Sequence, residues 1–290
     1  MPRTEAKIGV IGGTGLYEVE GLTDKQGLNI DTPFGKPSAS ILVGTLEGRR
    51  VAFLPRHGKN HSISPSELPS RANIWALKSL GVEHIIAVNS VGSFKKEIKG
   101  GDLLIPDQLI DRTKLRQNTF FGEGVVAHIQ FADPFCADLR KLLAEVATEA
   151  GADVHPKGTY VVMEGPAFST RAESRLHRSW GADVIGMTAL PEAKLAKEAE
   201  ICYAIIACAT DYDSWHETEV PVSVDVVLET MRRQEDLCKN IIKLAINRLP
   251  EKRNCGCDAA LSGAILTAEK AIPSTTKKKL ELLIGKYLKG

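Results

Sequence analysis

Asp211 and Asp213 flank Tyr212 directly after the apolar run Ile201-Cys202-Tyr203-Ala204-Ile205-Ile206-Ala207-Cys208. The run reads as a strand buried on both faces within a parallel sheet. In open α/β sheets ligands bind beyond the carboxyl ends of the strands, so two carboxylates just past this end face a ligand. A carboxylate accepts a hydrogen bond from an amine and, when protonated, donates one. Asp211 therefore suits the reading of an exocyclic amino group and the handling of a proton on a heterocycle. The alternative is a pair of turn or helix-cap aspartates.

A second set of residues suits an anion. In Gly9-Val10-Ile11-Gly12-Gly13-Thr14-Gly15 the first buried strand, Lys7 to Ile11, runs into a glycine-rich turn that allows backbone N–H groups to approach phosphate oxygens, with the Thr14 hydroxyl beside them. Arg56 and His57 follow the strand Val51-Ala52-Phe53-Leu54. Arginine presents planar paired donors that match phosphate, and histidine adds a further donor. Asn89 and Ser90 follow a strand predicted to end at Val88. The ends of neighbouring strands converge on one cleft in such sheets. A glycine-rich turn also opens dinucleotide-binding domains, but those need a helix next. Here Asp31-Thr32-Pro33-Phe34-Gly35-Lys36-Pro37 is a loop, and an antiparallel hairpin around Leu46-Glu47-Gly48 follows, which argues against a nicotinamide-dependent dehydrogenase.

The elements that must hold these groups alternate between strand and helix from residue 7 to about 250, which indicates an α/β protein with a central mixed sheet flanked by helices. Predicted strands include Leu103 to Ile110 and Thr159 to Met163; predicted helices include Ser66 to Leu80, Pro134 to Ala150, Arg171 to Trp180 and Pro191 to Glu200. Ser223 caps a further helix on which Val224, Val227, Leu228 and Met231 form one apolar face. That face is either core or the lining of an apolar subsite. Residues 1–250 are expected to form the main domain and 251–290 a C-terminal extension with Cys255-Gly256-Cys257 and a lysine-rich helix around Lys277-Lys278-Lys279.

Composition narrows the function classes. A net charge of +1 over 290 residues gives no electrostatic footprint for nucleic acid or a membrane surface. No apolar stretch reaches the ~20 residues of a bilayer span, and the amino terminus lacks a signal-peptide core, so a cytoplasmic location is expected. Of six cysteines, Cys136, Cys202, Cys208 and Cys238 read as small buried hydrophobes, and Cys255 and Cys257 as two thiols in an exposed tail or a strained disulfide. Their spacing matches no zinc motif, so no metal is expected.

These motifs, with Ala72-Asn73-Ile74-Trp75-Ala76-Leu77, Asp111-Arg112-Thr113, Glu164-Gly165-Pro166-Ala167-Phe168-Ser169-Thr170-Arg171-Ala172-Glu173 and Gly181-Ala182-Asp183-Val184-Ile185-Gly186-Met187-Thr188, resemble the 5′-methylthioadenosine phosphorylases of the trimeric purine nucleoside phosphorylase class. The resemblance covers residues 7 to about 248. It implies a single-domain nucleoside phosphorylase fold and phosphorolysis of S-methyl-5′-thioadenosine to adenine and 5-methylthioribose 1-phosphate in a salvage pathway. A purine nucleoside phosphorylase of broader specificity is the alternative. It implies no cofactor, with inorganic phosphate as co-substrate. Thr14, Arg56, His57, Asn89, Ser90 and Thr188 would surround phosphate. Phe168 and Met187 would line the nucleoside, and Asp211 and Asp213 would contact the adenine and carry the proton chemistry. For that Asp211 needs a raised pKa. Val224, Val227 and Leu228 would hold the methylthio group, with His128 reaching the site of a neighbouring subunit, so self-association into a trimer or a dimer of trimers is implied. Asn89-Ser90 stands where the family often has Thr-Ala, and Ala167 where relatives often carry a larger polar residue. The Cys255-Gly256-Cys257 tail resembles the Cys-X-Cys ending of thermophilic relatives that form disulfide-bearing hexamers and accept more nucleosides.

Overall fold

Fully buried strands with side chains alternating between two helical layers organise the chain. The structure is a computed structural model that describes residues 6–13, 16, 19–216 and 222–288. The strands are β1 (Ile8–Gly12), β2 (Thr23–Leu28), β3 (Ile41–Leu46), β4 (Arg49–Pro55), β5 (His84–Ser93), β6 (Leu103–Leu104), β7 (Gln108–Arg112), β8 (Val154–His155), β9 (Thr159–Met163), β10 (Val184–Gly186) and β11 (Cys202–Asp211). They form one mixed sheet in the order β2-β3-β4-β1-β5-β10-β9-β7, and β11 leaves the other edge of β5 to continue through β6 to β8. The helices are α1 (Ser70–Ser79), α2 (Ala137–Glu149), α3 (Arg171–Ser179), α4 (Ala189–Glu198), α5 (Val224–Arg248) and α6 (Ser274–Ile284).

Side chains of β11 alternate strictly. Tyr203, Ile205, Ala207 and Ala209 join the layer that holds Leu77 of α1, Leu195 of α4 and Leu280 of α6, while Cys202, Ala204, Ile206 and Cys208 join the layer of α2 and α5. Burial on both faces is why this strand reads as a continuous apolar run rather than an alternating one. Among the described residues no helix is long and apolar enough to cross a membrane.

The sheet forks at β5. On one edge β1 pairs with it in parallel as far as Ile11 opposite Ala87, and β10 takes that edge only at Gly92 and Ser93, in the antiparallel sense. Along the other edge β11 stays paired through Gly92. Among the described residues no strand therefore lies beside residues 88–91 on that side. A parallel neighbour and an antiparallel one meeting on the same edge create a crevice of the kind that forms where strand order reverses.

Several elements differ from the sequence expectation. β5 does not stop at Val88, so Asn89 and Ser90 lie inside it at the fork. β11 extends to Asp211 across an irregularity between Ala209 and Asp211, so Asp211 ends the strand instead of following it. The segment from Leu103 to Ile110 divides into β6 and β7 around Pro106, which has no N–H for a ladder. The helix expected from Ser66 starts at Ser70, after Pro69. β2, polar and mostly exposed, carries no strand signal in its sequence, Thr-Asp-Lys-Gln-Gly-Leu. Its pairing with β3 holds it in place.

Residues 251–288 pack onto this frame. Leu261, Ile272, Leu280, Leu283 and Ile284 are buried within the same cluster as α1 and α4. Buried Glu200 gathers the segment: its carboxylate accepts from the Leu261 N–H at 3.1 Å and pairs with Lys286 at 2.6 Å, and its carbonyl accepts from Arg253 at 2.8 Å. Leu280→Ala is expected to lower global stability by about 2–5 kcal/mol in one cooperative urea transition. An unchanged main transition preceded by a small early step would mean that the segment folds apart from the sheet.

Candidate active site

Arg56 closes the open edge of the fork. Its N–H bonds to the Gly12 carbonyl at 3.0 Å, fixing it beside the end of β1. The guanidinium, 2% exposed, donates to Glu192 through Nε at 2.6 Å and through Nη2 at 3.1 Å. It also donates through Nη1 to the Val88 carbonyl at 2.9 Å and through Nη2 to Asn89 Oδ1 at 3.2 Å. Val88 lies in the stretch of β5 that lacks a strand partner on one side, so Arg56 supplies a donor there. Burial disfavours the guanidinium charge, but the Glu192 carboxylate and its hydrogen bond more than offset this and hold the Arg56 pKa above the ordinary arginine range. The paired donors are thus engaged by Glu192, and one Nη1 proton is left over.

Asn89 continues the chain of contacts. Its Nδ2 donates to Thr188 Oγ1 at 2.8 Å and lies 3.5 Å from the Tyr160 hydroxyl. Because Thr188 Oγ1 accepts from Asn89, its own proton is free to point elsewhere. Ser90 is the one exposed residue of β5, and it sits where the fork opens. His57 Nδ1 lies 2.9 Å from the Ile63 carbonyl, which only accepts, so Nδ1 carries the proton. Burial first, then the nearby Arg56 and His61 charges, push its pKa down to about 4 despite the Ile63 bond. At neutral pH His57 therefore offers an acceptor at Nε2, where the sequence suggested a donor. Thr14 lies outside the described residues.

The second group stands at the end of β11. Asp213 adopts a left-handed backbone conformation, φ 49°, and donates its N–H to Asp211 Oδ1 at 2.7 Å. This is an aspartate turn, a conformation the short polar side chain favours. The Thr210 hydroxyl donates to Asp211 Oδ2 at 2.7 Å. Burial raises the Asp211 pKa, with a further push from Asp213, against the lowering by the Thr210 and Asp213 hydrogen bonds. Asp213 Oδ2 is buried and has no hydrogen-bond partner among the described residues. Gly92 makes room for both: a Cβ there would stand 3.0 Å from Asp211 Oδ1 and 3.1 Å from Asp213 Cβ. Trp215 Nε1 donates to the Ser93 carbonyl at 2.7 Å and ties the turn to the end of β5.

Phe168 is held near this turn by the Ser214 hydroxyl, which donates to the carbonyl of adjacent Ser169 at 2.8 Å. Phe168 itself is 40% exposed. Arg116, which the sequence analysis did not single out, fixes Met187. Its guanidinium donates to the carbonyls of Met187, of Leu190 at 2.6 Å and of Glu164 at 2.6 Å, and to Glu164 Oε1 at 3.1 Å. Gly165, at φ 71°, lets the Glu164 loop pass against Met187, because a Cβ would meet Met187 Sδ at 2.5 Å. Desolvation would raise the Glu164 pKa, but hydrogen bonds from Ser66, Lys114, Arg116 and Leu115 prevail and lower it to about 2. The site roles of Glu192 and Arg116 are not legible in the sequence, where Glu192 suits only the first turn of a helix, because each role is recognisable only from the long-range partner it meets.

On α5, Val224 is 62% exposed, Leu228 is 45% exposed and Val227 is half-buried. The first turn of the helix is therefore not core. Thr230 Oγ1 lies 3.4 Å from the Thr210 carbonyl, which sets this part of α5 beside the end of β11. His128 stands apart: its N–H bonds to the Ala264 carbonyl at 2.9 Å, on a segment bridged to the C-terminal tail. The structure thus brings Arg56, Asn89 and Thr188 into one hydrogen-bonded group and Asp211 and Asp213 into another, linked by the length of β5.

The family model for the phosphorylase superfamily matches residues 7–247. The chain belongs to that superfamily. It is 57% identical over 98% of its length to S-methyl-5′-thioadenosine phosphorylase of Geobacter sulfurreducens, all of which is covered. It also resembles, with a TM-score of 0.93 and 46% identity, a crystal structure of methylthioadenosine phosphorylase sourced from an antarctic soil metagenomic library, over 97% of this chain and 99% of that one. A methylthioadenosine phosphorylase from Schistosoma mansoni in complex with adenine matches with a TM-score of 0.84 and 36% identity, over 89% of this chain and 98% of that one. The expected central mixed sheet with flanking helices is the phosphorylase fold observed.

Removing one partner of a buried ion pair leaves the other charge uncompensated. Glu192→Met is expected to cost about 3–5 kcal/mol in chemical denaturation, while Arg56→Met/Glu192→Met recovers most of that loss. A double variant no more stable than the single one would show that packing, not charge, holds the site. For His57, a proton NMR titration should place the ring midpoint near 4. Because that lies below the unfolded value of about 6.5, the contribution of His57 to stability is complete above pH 6.5 and is lost as pH falls toward 4. A midpoint near the unfolded value would overturn the assigned tautomer and burial.

Proposed function

We infer that this chain cleaves S-methyl-5′-thioadenosine with inorganic phosphate, releasing adenine and 5-methylthioribose 1-phosphate. The observation that carries the reading is the carboxylate pair at the end of β11, one member with a raised pKa and the other with a buried oxygen that has no partner among the described residues. Adenine offers the complement: N7 takes a proton and the 6-amino group donates. In this reading protonated Asp211 donates to N7 and Asp213 Oδ2 accepts from the amino group. A 6-oxo purine would present an acceptor to that oxygen and leave it unsatisfied, at a cost of about 1–3 kcal/mol.

The C1′–N9 bond breaks with its electron pair moving into the purine, and the proton from Asp211 neutralises the ring. An oxygen of phosphate forms the new bond to C1′, after stabilising the positive charge that develops on the ribose. Phosphate is a co-substrate, and the step needs no cofactor. We place phosphate at the fork, with the free Thr188 proton, Ser90 and the spare Arg56 proton as candidate donors and His57 Nε2 as an acceptor from a P–OH of the phosphate; Thr14 is proposed as a further contact. In this arrangement Asn89 and Glu192 orient the groups that touch phosphate. Phe168 and Met187 would line the nucleoside.

Exposed Val224 and Leu228, with Val227, suit a 5′-methylthio group, since burying a thioether there is favourable whereas a 5′-hydroxyl would lose its water without a partner. As both side chains are largely open in a single chain, we propose that a neighbouring copy completes the pocket through His128. A trimer, alone or paired as a dimer of trimers, would then be the working unit. The same reading gives the chain a cytoplasmic role in methylthioadenosine salvage.

Base release should depend on phosphate and be fastest with methylthioadenosine among methylthioadenosine, adenosine and inosine. Asp211→Asn is expected to slow cleavage of methylthioadenosine and of inosine alike by about 10²–10⁴-fold, the usual range for loss of a general acid, whereas Asp213→Asn is expected to slow methylthioadenosine cleavage far more than inosine cleavage. Equal losses on both substrates for Asp213→Asn would remove Asp213 from base selection, and release led by inosine from the unaltered chain would overturn the assignment of the base-binding pair.

A further inference from the structure

At the opposite end of β11 from Asp211, four sulfurs converge. Cys136, Cys202, Cys255 and Cys257 present Sγ atoms that all lie within 4.8 Å of one another. Cys202 opens β11 and Cys136 is the cap residue at the start of α2. The two are locked in register, because the Cys136 N–H bonds to the Tyr203 carbonyl at 3.0 Å and the Cys202 N–H bonds to the Glu83 carbonyl at 2.9 Å. Cys255 and Cys257 arrive from the segment after α5, with only Gly256 between them. Arg253, bonded to the Glu200 carbonyl at 2.8 Å, fixes the approach of that segment. Cys136, Cys202 and Cys257 are buried and Cys255 is half-buried.

The sequence suggested an exposed Cys-Gly-Cys tail and unrelated buried thiols; tertiary structure makes them one cluster. All four are free thiols, with Cys202 and Cys255 Sγ atoms 3.2 Å apart. Cys208 and Cys238 form a separate contact at 3.5 Å and take no part. A tetrahedral tetrathiolate with metal–sulfur bonds of ~2.3 Å has sulfur–sulfur edges of about 3.8 Å, so to enclose an ion the 3.2 Å Cys202–Cys255 pair opens slightly and the wider separations, none above 4.8 Å, close slightly. A closed site of four thiolates selects zinc among common divalent cations, because the donors are soft and tetrahedral. Its net negative charge would be met in part by Arg253, two residues before Cys255 in the chain.

We propose that Cys136, Cys202, Cys255 and Cys257 form a structural zinc site that clamps the C-terminal segment to the first residue of β11 and the start of α2. The site is structural rather than catalytic. The ten residues of β11 separate it from Asp211 by about 30 Å at the usual strand rise. With four protein ligands it also has no open position for a substrate. The proposal does not depend on the phosphorolysis reading, and its readouts are independent of activity.

The test is to purify the full-length chain in reductant without chelator, then to measure metal by mass spectrometry and thiols by a colorimetric reagent. The expected result is about one zinc per chain, with the cluster thiols silent until an organomercurial releases the ion. Replacing zinc by Co²⁺ should give the intense near-ultraviolet thiolate charge-transfer band and the visible bands of a tetrahedral sulfur site. Cys255→Ser, at the half-buried position, is expected to lower the zinc content more than tenfold and to lower the Tm, whereas Cys208→Ser keeps the ion. Cys202→Ser repeats the test at a core position, and Cys255→Ser stands on its own if that variant does not fold. A chain without zinc after growth in zinc-supplemented medium would overturn the proposal. So would disulfides among these four cysteines in peptide maps of the native protein, or a zinc content equal in Cys255→Ser and wild type.

Discussion

The buried pair between Arg56 and Glu192 is the contact on which the architecture of the site depends. A sheet that changes from a parallel to an antiparallel partner on one edge must leave backbone groups unpaired at the change. In this fold that stretch lies at Val88, and the guanidinium on the loop after β4 donates to its carbonyl. The charge this brings into the interior requires a carboxylate, which α4 supplies through Glu192. A deeply buried ion pair is seldom a large source of stability in itself, but its geometry is strict, and here it fixes three elements at one point. Asn89 passes that geometry to Thr188.

The second group derives from the length of β11. A strand buried on both faces cannot end on polar residues unless something satisfies them. The irregularity after Ala209 and the aspartate turn at Asp211 to Asp213 do this internally for Asp211 but leave Asp213 Oδ2 without a partner among the described residues. Gly92 on the neighbouring strand leaves space for both carboxylates. A satisfied carboxylate of raised pKa beside an unsatisfied buried oxygen is an arrangement that costs stability in the absence of a ligand, and such costs concentrate at functional sites.

The other end of the same strand is organised by different chemistry. Glu200, buried and in a left-handed conformation at φ 56°, draws in Arg253, Leu261 and Lys286. The sulfur cluster lies beside it. One strand thus anchors the tail at its first residue and presents the reactive carboxylates at its last. Stabilisation and chemistry are separated along its length, so each can be altered with limited effect on the other.

Much of this was legible in the sequence. Alternating apolar runs and helix signals gave the α/β class, because burial on both faces leaves a plain mark in composition. Gly12-Gly13, Arg56-His57 and Asp211-Tyr212-Asp213 were visible as groups at strand ends, since a ligand cleft there follows from the topology of parallel sheets. The Ser223 cap and the apolar first turn of α5 were legible too, but not whether that turn faces core or solvent, because periodicity reports a face and not what covers it. Tertiary structure alone decided that Arg56 faces Glu192, that His57 is an acceptor at neutral pH, that Arg116 supports Met187 and that four distant cysteines meet. Each of these depends on a partner far along the chain, or on a local dielectric set by packing. Residue type and spacing state which groups are present; only the folded arrangement settles which are already satisfied and which remain free for a ligand.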